Sequence, residues 1–338
     1  MRVQIMAVGV LVSSALLVPA SAAHAAAASN GPILIRTPDY SSRSLWAPDG
    51  SSHTPFALEQ ELEPLAFAPD GASVAYLASY NQTSSQINIR GADGSDHLAG
   101  TVLGNEVYQV SFSGDGSKLA VFTQDYSNDA PEDRISVVSA SGSSAPRVIL
   151  DDIGDATLIT GASWDPGSND IAFIRNGIIG LISSTSPSSG VHSFAEPCSW
   201  VGANVDPNDN GCYSAGETFS SVSFSPTGGK IVGQYFTYDT EGNSYSHIGV
   251  QTRGVPAPHE VVSVPPYTPG ATALETSVFS PDGSRVVYTL RHDDLDNVEV
   301  RVAPAAGGGS TQVAPGRDPL WLPCPGGPSL RIPSLSSS

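Results

Sequence analysis

Basic residues are scarce in this chain: 15 Lys and Arg stand against 33 Asp and Glu, a formal charge of −18. Nucleic acids and anionic bilayers recruit Lys and Arg, so this balance argues against both as partners and favours multivalent cations or basic surfaces. Cysteine is scarce too. Cys198, Cys212 and Cys324 are too few for a disulfide-built scaffold, but they suffice for one bridge in an oxidising compartment. After the N-terminus no apolar run approaches the roughly 20 residues a membrane span needs, so membrane insertion is not expected. The G-x-S-x-G elbow, H-E-x-x-H, S-x-x-K and the phosphate-binding loop are all missing, which leaves no catalytic residue to nominate and points away from an enzyme.

The one long apolar run is N-terminal. Residues 1–25 carry Arg2, an apolar stretch from Val3 to Ala20 and an Ala23-His24-Ala25 cleavage pattern, the organisation of a secretory signal peptide. The expected location is therefore extracellular, or periplasmic where an outer membrane exists. Residues 326–338, "GGPSLRIPSLSSS", read as a disordered C-terminal tail.

Between these ends the chain repeats. One motif recurs as "LAFAPDGASVAYL" from Leu65, "VSFSGDGSKLAVF" from Val110, "ASWDPGSNDIAFI" from Ala162, "VSFSPTGGKIVGQ" from Val222 and "SVFSPDGSRVVYT" from Ser277. Each copy has an aromatic (Phe67, Phe112, Trp164, Phe224, Phe279), a turn rich in Pro, Asp and Gly, and a β-branched run, the pattern of a hairpin. A shortened sixth copy, "DPLWLPC", places Trp321 at the aromatic position. A second strand-turn-strand motif lies between the copies, as in "INIRGADGSDHLAG" and "VEVRVAPAAGGGSTQVA". Six such pairs at a spacing of roughly 40 to 60 residues predict six four-stranded blades, hence an all-β, six-bladed β-propeller over residues 26–325. The chain begins inside a blade and ends on the innermost strand that this blade lacks. Pairing of N- and C-terminal strands in one blade would close the ring.

The [FW]-[ST]-P-D-G-x3-[VIL]-x-[YF] repeats resemble those of TolB-like (WD40-like) β-propellers. The likeness covers nearly all of the chain after residue 25. It implies a scaffold for protein or ligand contact, often in a bacterial envelope, and propellers as a class host many activities.

Propeller topology sorts the loops. The Pro-Asp-Gly turns share one face, where Asp70, Asp115 and Asp282 read as turn caps. The long loops share the other face and carry Asp125, Asp129, Asp133, Asp239, Asp293, Asp294 and Asp296, an acidic rim able to gather cations or a basic partner. His247 and His292 lie on or beside that face and join the ligand-face candidates. His53, His97, His192 and His259 recur near the start of fourth strands, which spreads them around the periphery.

The longest insertion, from about Ala195 to Phe219, contains "DPNDNGCYSAGE", which matches the calcium-loop pattern D-x-[DN]-x-[DN]-G-x5-E. Asp206, Asn208 and Asn210 would supply side-chain oxygens, Cys212 its carbonyl, Ser214 a direct or water-bridged ligand, and Glu217 a bidentate carboxylate. Gly211 would make the sharp turn. Pro207 disfavours an incoming helix, so a helix-free calcium loop is expected. A Cys198–Cys212 bridge would pin the insertion, with Cys324 left over; pairings involving Cys324 stay open. The sequence thus points to a monomeric, secreted, non-enzymatic propeller with calcium as its cofactor, which binds a protein or cell-envelope ligand through its long-loop face. The alternative is a propeller-fold polysaccharide lyase or glycoside hydrolase.

Overall fold

The computed structural model describes residues 29–324 except 57–62, 127–131, 154–158, 176–177, 195–217, 239, 242–243, 256–257, 265–272 and 293–296. It is an all-β ring of six blades. Blade 1 orders Arg317–Cys324, Ser29–Arg36, Arg43–Trp46 and His53–Pro55 from the centre outward, so the last strand of the chain is the innermost strand of the first blade. Blades 2, 3, 4 and 6 are simple antiparallel meanders that start on Glu63–Phe67, Glu106–Phe112, Ile159–Trp164 and Ala273–Phe279. Blade 5 splits its inner strand into Thr218–Phe219 and Ser223–Phe224, both paired to Lys230–Tyr238.

The aromatic of each hairpin copy has one job. Phe112 packs against blade 2, Trp164 against blade 3, Phe224 against blade 4, Phe279 against blade 5, Trp321 against blade 6 and Phe67 against blade 1, so each of the six apolar clusters is an interface between neighbouring blades. A blade is a four-stranded sheet with two apolar faces; it buries both only between two neighbours.

Turn chemistry follows the sequence pattern. The carboxylate of Asp70 accepts from the Ala72 N–H at 2.8 Å, that of Asp115 from the Ser117 N–H at 3.0 Å, and that of Asp282 from the Ser284 N–H at 2.9 Å. These turns lie against the turn of the second hairpin in the same blade, joined by Ala92 N to Ala72 O, Ala140 N to Ser117 O and Ala305 N to Ser284 O. One face of the ring thereby carries these short capped turns.

The four peripheral histidines occupy fourth strands. Two of them tie blades together: His97 Nε2 is 2.8 Å from the Ala140 carbonyl of blade 3, and His259 Nε2 is 2.6 Å from the Ala306 carbonyl of blade 6. Residues 1–28 and 325–338, which include the expected signal peptide (1–25) and tail (326–338), lie outside the described residues.

Candidate functional site: the central channel and its mouth

The inner strands surround a cavity of about 830 Å³ lined by residues from all six blades. Every inner strand carries an irregularity at the same level. Leu65, Tyr108, Gly161 and Thr276 have no partner in the register of blades 2, 3, 4 and 6, Asp318 and Pro319 are passed over in blade 1, and the split in blade 5 spans Ser220–Val222. A bulge re-aims the strand where it occurs. All of these residues line the cavity, so the repeat sets one non-equivalent group per blade around it.

Polar tethers hold the inner strands side by side. Ser111 Oγ accepts from the Trp164 N–H at 3.0 Å, and Ser163 Oγ accepts from the Phe224 N–H at 2.9 Å. Gln109 spans further. Its Oε1 accepts from the Ala162 N–H at 3.1 Å and its Nε2 donates to the Val222 carbonyl at 3.0 Å, a link from blade 3 past blade 4 to blade 5. Gly161 lies beneath this amide with φ of +77°, and a Cβ there would stand 2.8 Å from Gln109 Oε1.

Two corners of the mouth, both on the long-loop face, carry functional groups. In blade 3 the Tyr108 hydroxyl donates to Glu106 at 2.7 Å and lies 3.0 Å from the Tyr126 hydroxyl, which donates to Gln124. Burial and the hydrogen bonds with Tyr126 and Glu106 push the Tyr108 phenol above its ordinary range, so it stays a neutral donor. Both rings are about half exposed, at 51% and 47%.

In blade 1, Arg36 is paired in register with Arg43 on one side and Arg317 on the other, a row of three arginines across three adjacent strands. The Arg36 and Arg317 guanidinium carbons lie 4.6 and 4.5 Å from the centroid of the Tyr40 ring, and Arg36 Nη1 is 3.8 Å from Asp318. Tyr40 and Asp318 are the two non-glycine residues with left-handed φ among the described residues, at +61° and +50°. Gly316 makes the row possible: at its φ of +142° a Cβ would stand 2.4 Å from the Arg36 carbonyl. Sequence reading passed over this corner because single arginines in "ILIRT", "SRSLW" and "GRDP" reveal nothing until strand register brings them together.

Four of the sequence-nominated residues, Asp125, Asp133, His247 and His292, lie among the described residues, spread over blades 3, 5 and 6. Asp125 and Asp133 are buried. Asp125 Oδ2 is 3.6 Å from Arg134 Nη1, and the same guanidinium meets Asp151 at 3.1 Å and Glu132. Asp133 Oδ2 accepts from the Ile159 N–H at 2.7 Å and fixes the start of the blade 4 inner strand. The Asp125 carboxylate is thus spent on ion pairing within blade 3, and that of Asp133 on holding blade 3 to blade 4. His247 is buried in blade 5, stacked on Tyr235 at 4.7 Å and hydrogen-bonded to Thr237 at 2.8 Å and Glu260 at 3.0 Å. His292 is half-buried, 3.5 Å from Glu299, whose carboxylate also pairs with Arg301 at 2.7 Å. Asp129, Asp239, Asp293, Asp294 and Asp296 lie outside the described residues, as do Cys198 and the loop Asp206, Asn208, Asn210, Cys212, Ser214 and Glu217. Among the described residues no group of three His, Cys, Asp or Glu could hold a metal ion, and no helix is long and apolar enough to cross a membrane.

The class of protein defined by this fold is a six-bladed β-propeller with TolB-like architecture, closed by its own termini and open along a central channel. No protein-family model and no curated protein matches the sequence. Solved structures do match in fold. TolB from Acinetobacter baumannii is 18% identical with a TM-score of 0.60, over 87% of this chain and 67% of that one. The nidogen/laminin complex contains a chain 10% identical with a TM-score of 0.56, over 88% of this chain and 99% of that one. Oligogalacturonate lyase from Vibrio parahaemolyticus is 12% identical with a TM-score of 0.51, over 84% of this chain and 79% of that one. The shared feature is the fold; one neighbour is named for an activity and another for a complex.

Proposed function

We infer that this protein is an exported, non-enzymatic ligand-binding propeller that receives a protein or cell-envelope ligand at the long-loop mouth of its channel. The observation that carries this reading is the chemistry of the channel wall. It presents Ser, Thr, Gln, Tyr and apolar side chains with Arg36 and Arg43 at its mouth, and Asp318 is the single carboxylate among the described lining residues. Glycoside chemistry by paired carboxylates needs a second one at roughly 5 to 9.5 Å. Hydrogen-bonding groups on a rigid apolar frame suit recognition. Export is supported by the signal-like residues 1–25.

The insertion adds a structural element to this reading. Asp206, Asn208, Asn210, Cys212, Ser214 and Glu217 would supply the oxygens for one calcium ion, and a Cys198–Cys212 bridge would close the loop around it.

Two measurements test the binding reading. Incubation with polygalacturonate and a wider polysaccharide panel should release no reducing ends; turnover would establish the lyase or hydrolase alternative. Thr276→Trp would fill the channel at the level of the bulges. Envelope components retained by the wild-type protein should be lost on this variant with its melting temperature unchanged; equal retention would sink the channel as the binding site.

A further inference from the structure

We propose that the corner of Tyr108 and Tyr126 is a saccharide subsite, where the two ring faces stack on the C–H face of an uncharged sugar unit and the polar groups around them take its hydroxyls. The inference rests on the channel-binding reading and gives the ligand its chemistry.

The fold asks for neither ring. At the bulge level blades 2, 4 and 6 carry Leu65, Gly161 and Thr276, so nothing in the repeat requires an aromatic where blade 3 places Tyr108. Tyr126 follows the end of the strand Lys118–Asp125. Single exposed aromatics are ordinary on a protein surface. Here two half-exposed rings meet through their hydroxyls on the wall of a cavity, and Gly161, the next bulge residue round the ring, has no side chain to cover them.

The corner is also held rigid. Only Gly104 and Asn105 join the outer strand of blade 2, Asp96–Leu103, to the inner strand of blade 3, Glu106–Phe112. The Gly104 N–H donates to the Thr83 carbonyl at 2.9 Å, and the Gly104 carbonyl accepts from Ser85 Oγ at 2.9 Å. Thr123 Oγ1 donates to the Leu103 carbonyl at 2.6 Å, and Asn105 Oδ1 accepts from the Tyr126 N–H at 3.2 Å. Phe122 backs the Tyr108 ring with 5.7 Å between centroids, while the hydroxyls are anchored on Glu106 and Gln124. Rings fixed at base and tip lose little freedom on binding, which lowers the cost of recognition.

The remaining polar groups select the ligand. Both hydroxyl protons are committed, so the phenols offer ring faces and acceptor oxygens. Gln124 is buried and lines the cavity, and no hydrogen bond joins its Nε2 to another described residue. A pyranose matches this set, with a flat C–H face bordered by hydroxyls that both donate and accept. An aliphatic chain would leave the Gln124 donors unpaired, and a cation would face their N–H groups. An anionic sugar would bring its charge to the Glu106 carboxylate beside Tyr108. An uncharged saccharide meets none of these penalties.

Calorimetry would titrate the protein with neutral hexasaccharides of glucose, N-acetylglucosamine, mannose, galactose and xylose, and with hexagalacturonate as the anionic comparison. At least one neutral chain should bind without being cleaved, and more tightly than hexagalacturonate. Tyr108→Phe should keep most of that affinity because the ring remains, whereas Tyr108→Leu and Tyr126→Leu should each weaken it about tenfold. Melting temperatures should be unchanged. Binding should also perturb the tyrosine ultraviolet spectrum of the wild-type protein, a readout that stands even if a leucine variant fails to fold. No binding by any neutral chain would overturn the subsite, as would an unperturbed tyrosine spectrum, equal binding by both leucine variants or tighter binding of hexagalacturonate. Envelope protein retained only with Tyr108 intact, in the absence of saccharide binding, would assign the rings to a protein surface and likewise overturn the subsite. The channel reading is decided separately, by capture of envelope components on the wild type and their loss on Thr276→Trp, so either can fail alone.

Discussion

The side-chain amide of Gln109 in blade 3 donates to the Val222 carbonyl in blade 5 at 3.0 Å while accepting from blade 4, so one residue ties three inner strands together over Gly161. Such a bar fixes the channel wall against the inter-blade motions that would change its shape. It also explains why the repeat carries a glycine in blade 4 where blade 3 carries Tyr108.

Gly161→Ala should therefore destabilise the protein. The added Cβ meets both a left-handed φ of +77° and the Gln109 amide at 2.8 Å. The left-handed angle alone costs about 1–2 kcal/mol for a residue with a side chain, and urea denaturation should show at least that loss. Gln109→Leu should cost about 1–3 kcal/mol, because it strands the Ala162 N–H and the Val222 carbonyl. A neutral outcome for both would mean that the bar does not bear on stability.

Closure of the ring depends on Trp321. Its indole Nε1 donates to the Gly31 carbonyl at 3.0 Å across 290 positions of sequence, and its ring packs with Val287, Val300 and Val302 of blade 6. Trp321→Ala should cost about 3–5 kcal/mol and Trp321→Phe distinctly less. Proteolysis should then begin at the termini, since blade 1 is held to the ring through this strand. Cleavage first at an interior loop would argue against closure as the weak point.

Acid should attack the turn face. Burial raises the Asp282 carboxyl, but hydrogen bonds from Ser280 and Ser284 outweigh it and hold it at about 2; hydrogen bonds from Ser113 and Ser117 also lower Asp115. A carboxyl depressed in the folded state contributes stability that is complete above its unfolded value near 4 and is lost as pH falls toward its folded value. Thermal melts should be flat in this respect above about pH 5 and fall between about pH 4 and 2. Asp282→Asn should flatten part of that slope; an unchanged slope would place the acid sensitivity elsewhere.

Calcium should raise the melting temperature by several degrees relative to chelator, and Glu217→Gln, which removes the bidentate carboxylate, should abolish the difference. Peptide mapping without reduction should recover Cys198 linked to Cys212. Identical melts with and without calcium would remove the metal from the account.

Much of the fold is legible in the sequence because a propeller repeats its local physics. Six aromatics at one repeat position, followed by turns in which Asp70, Asp115 and Asp282 cap backbone N–H groups, are enough to count the blades and to tell the turn face from the loop face. Trp321 in a shortened last copy even identifies the closing strand. The binding chemistry is much less legible. Asp125 and Asp133 look like rim carboxylates in the sequence, yet they are buried partners of Arg134 and the Ile159 N–H. Whether a polar side chain faces water or a neighbouring blade depends on inter-blade packing that no single repeat encodes.

By itself, the sequence determined blade number, closure and turn capping, since each follows from strand period and turn chemistry within a few dozen residues. Only the tertiary structure decided what stands at the channel mouth. Arg36, Arg43 and Arg317 become one charged row because antiparallel register aligns strands from opposite ends of the chain, and Gln109 reaches Val222 because closing the ring brings blades 3 and 5 across Gly161.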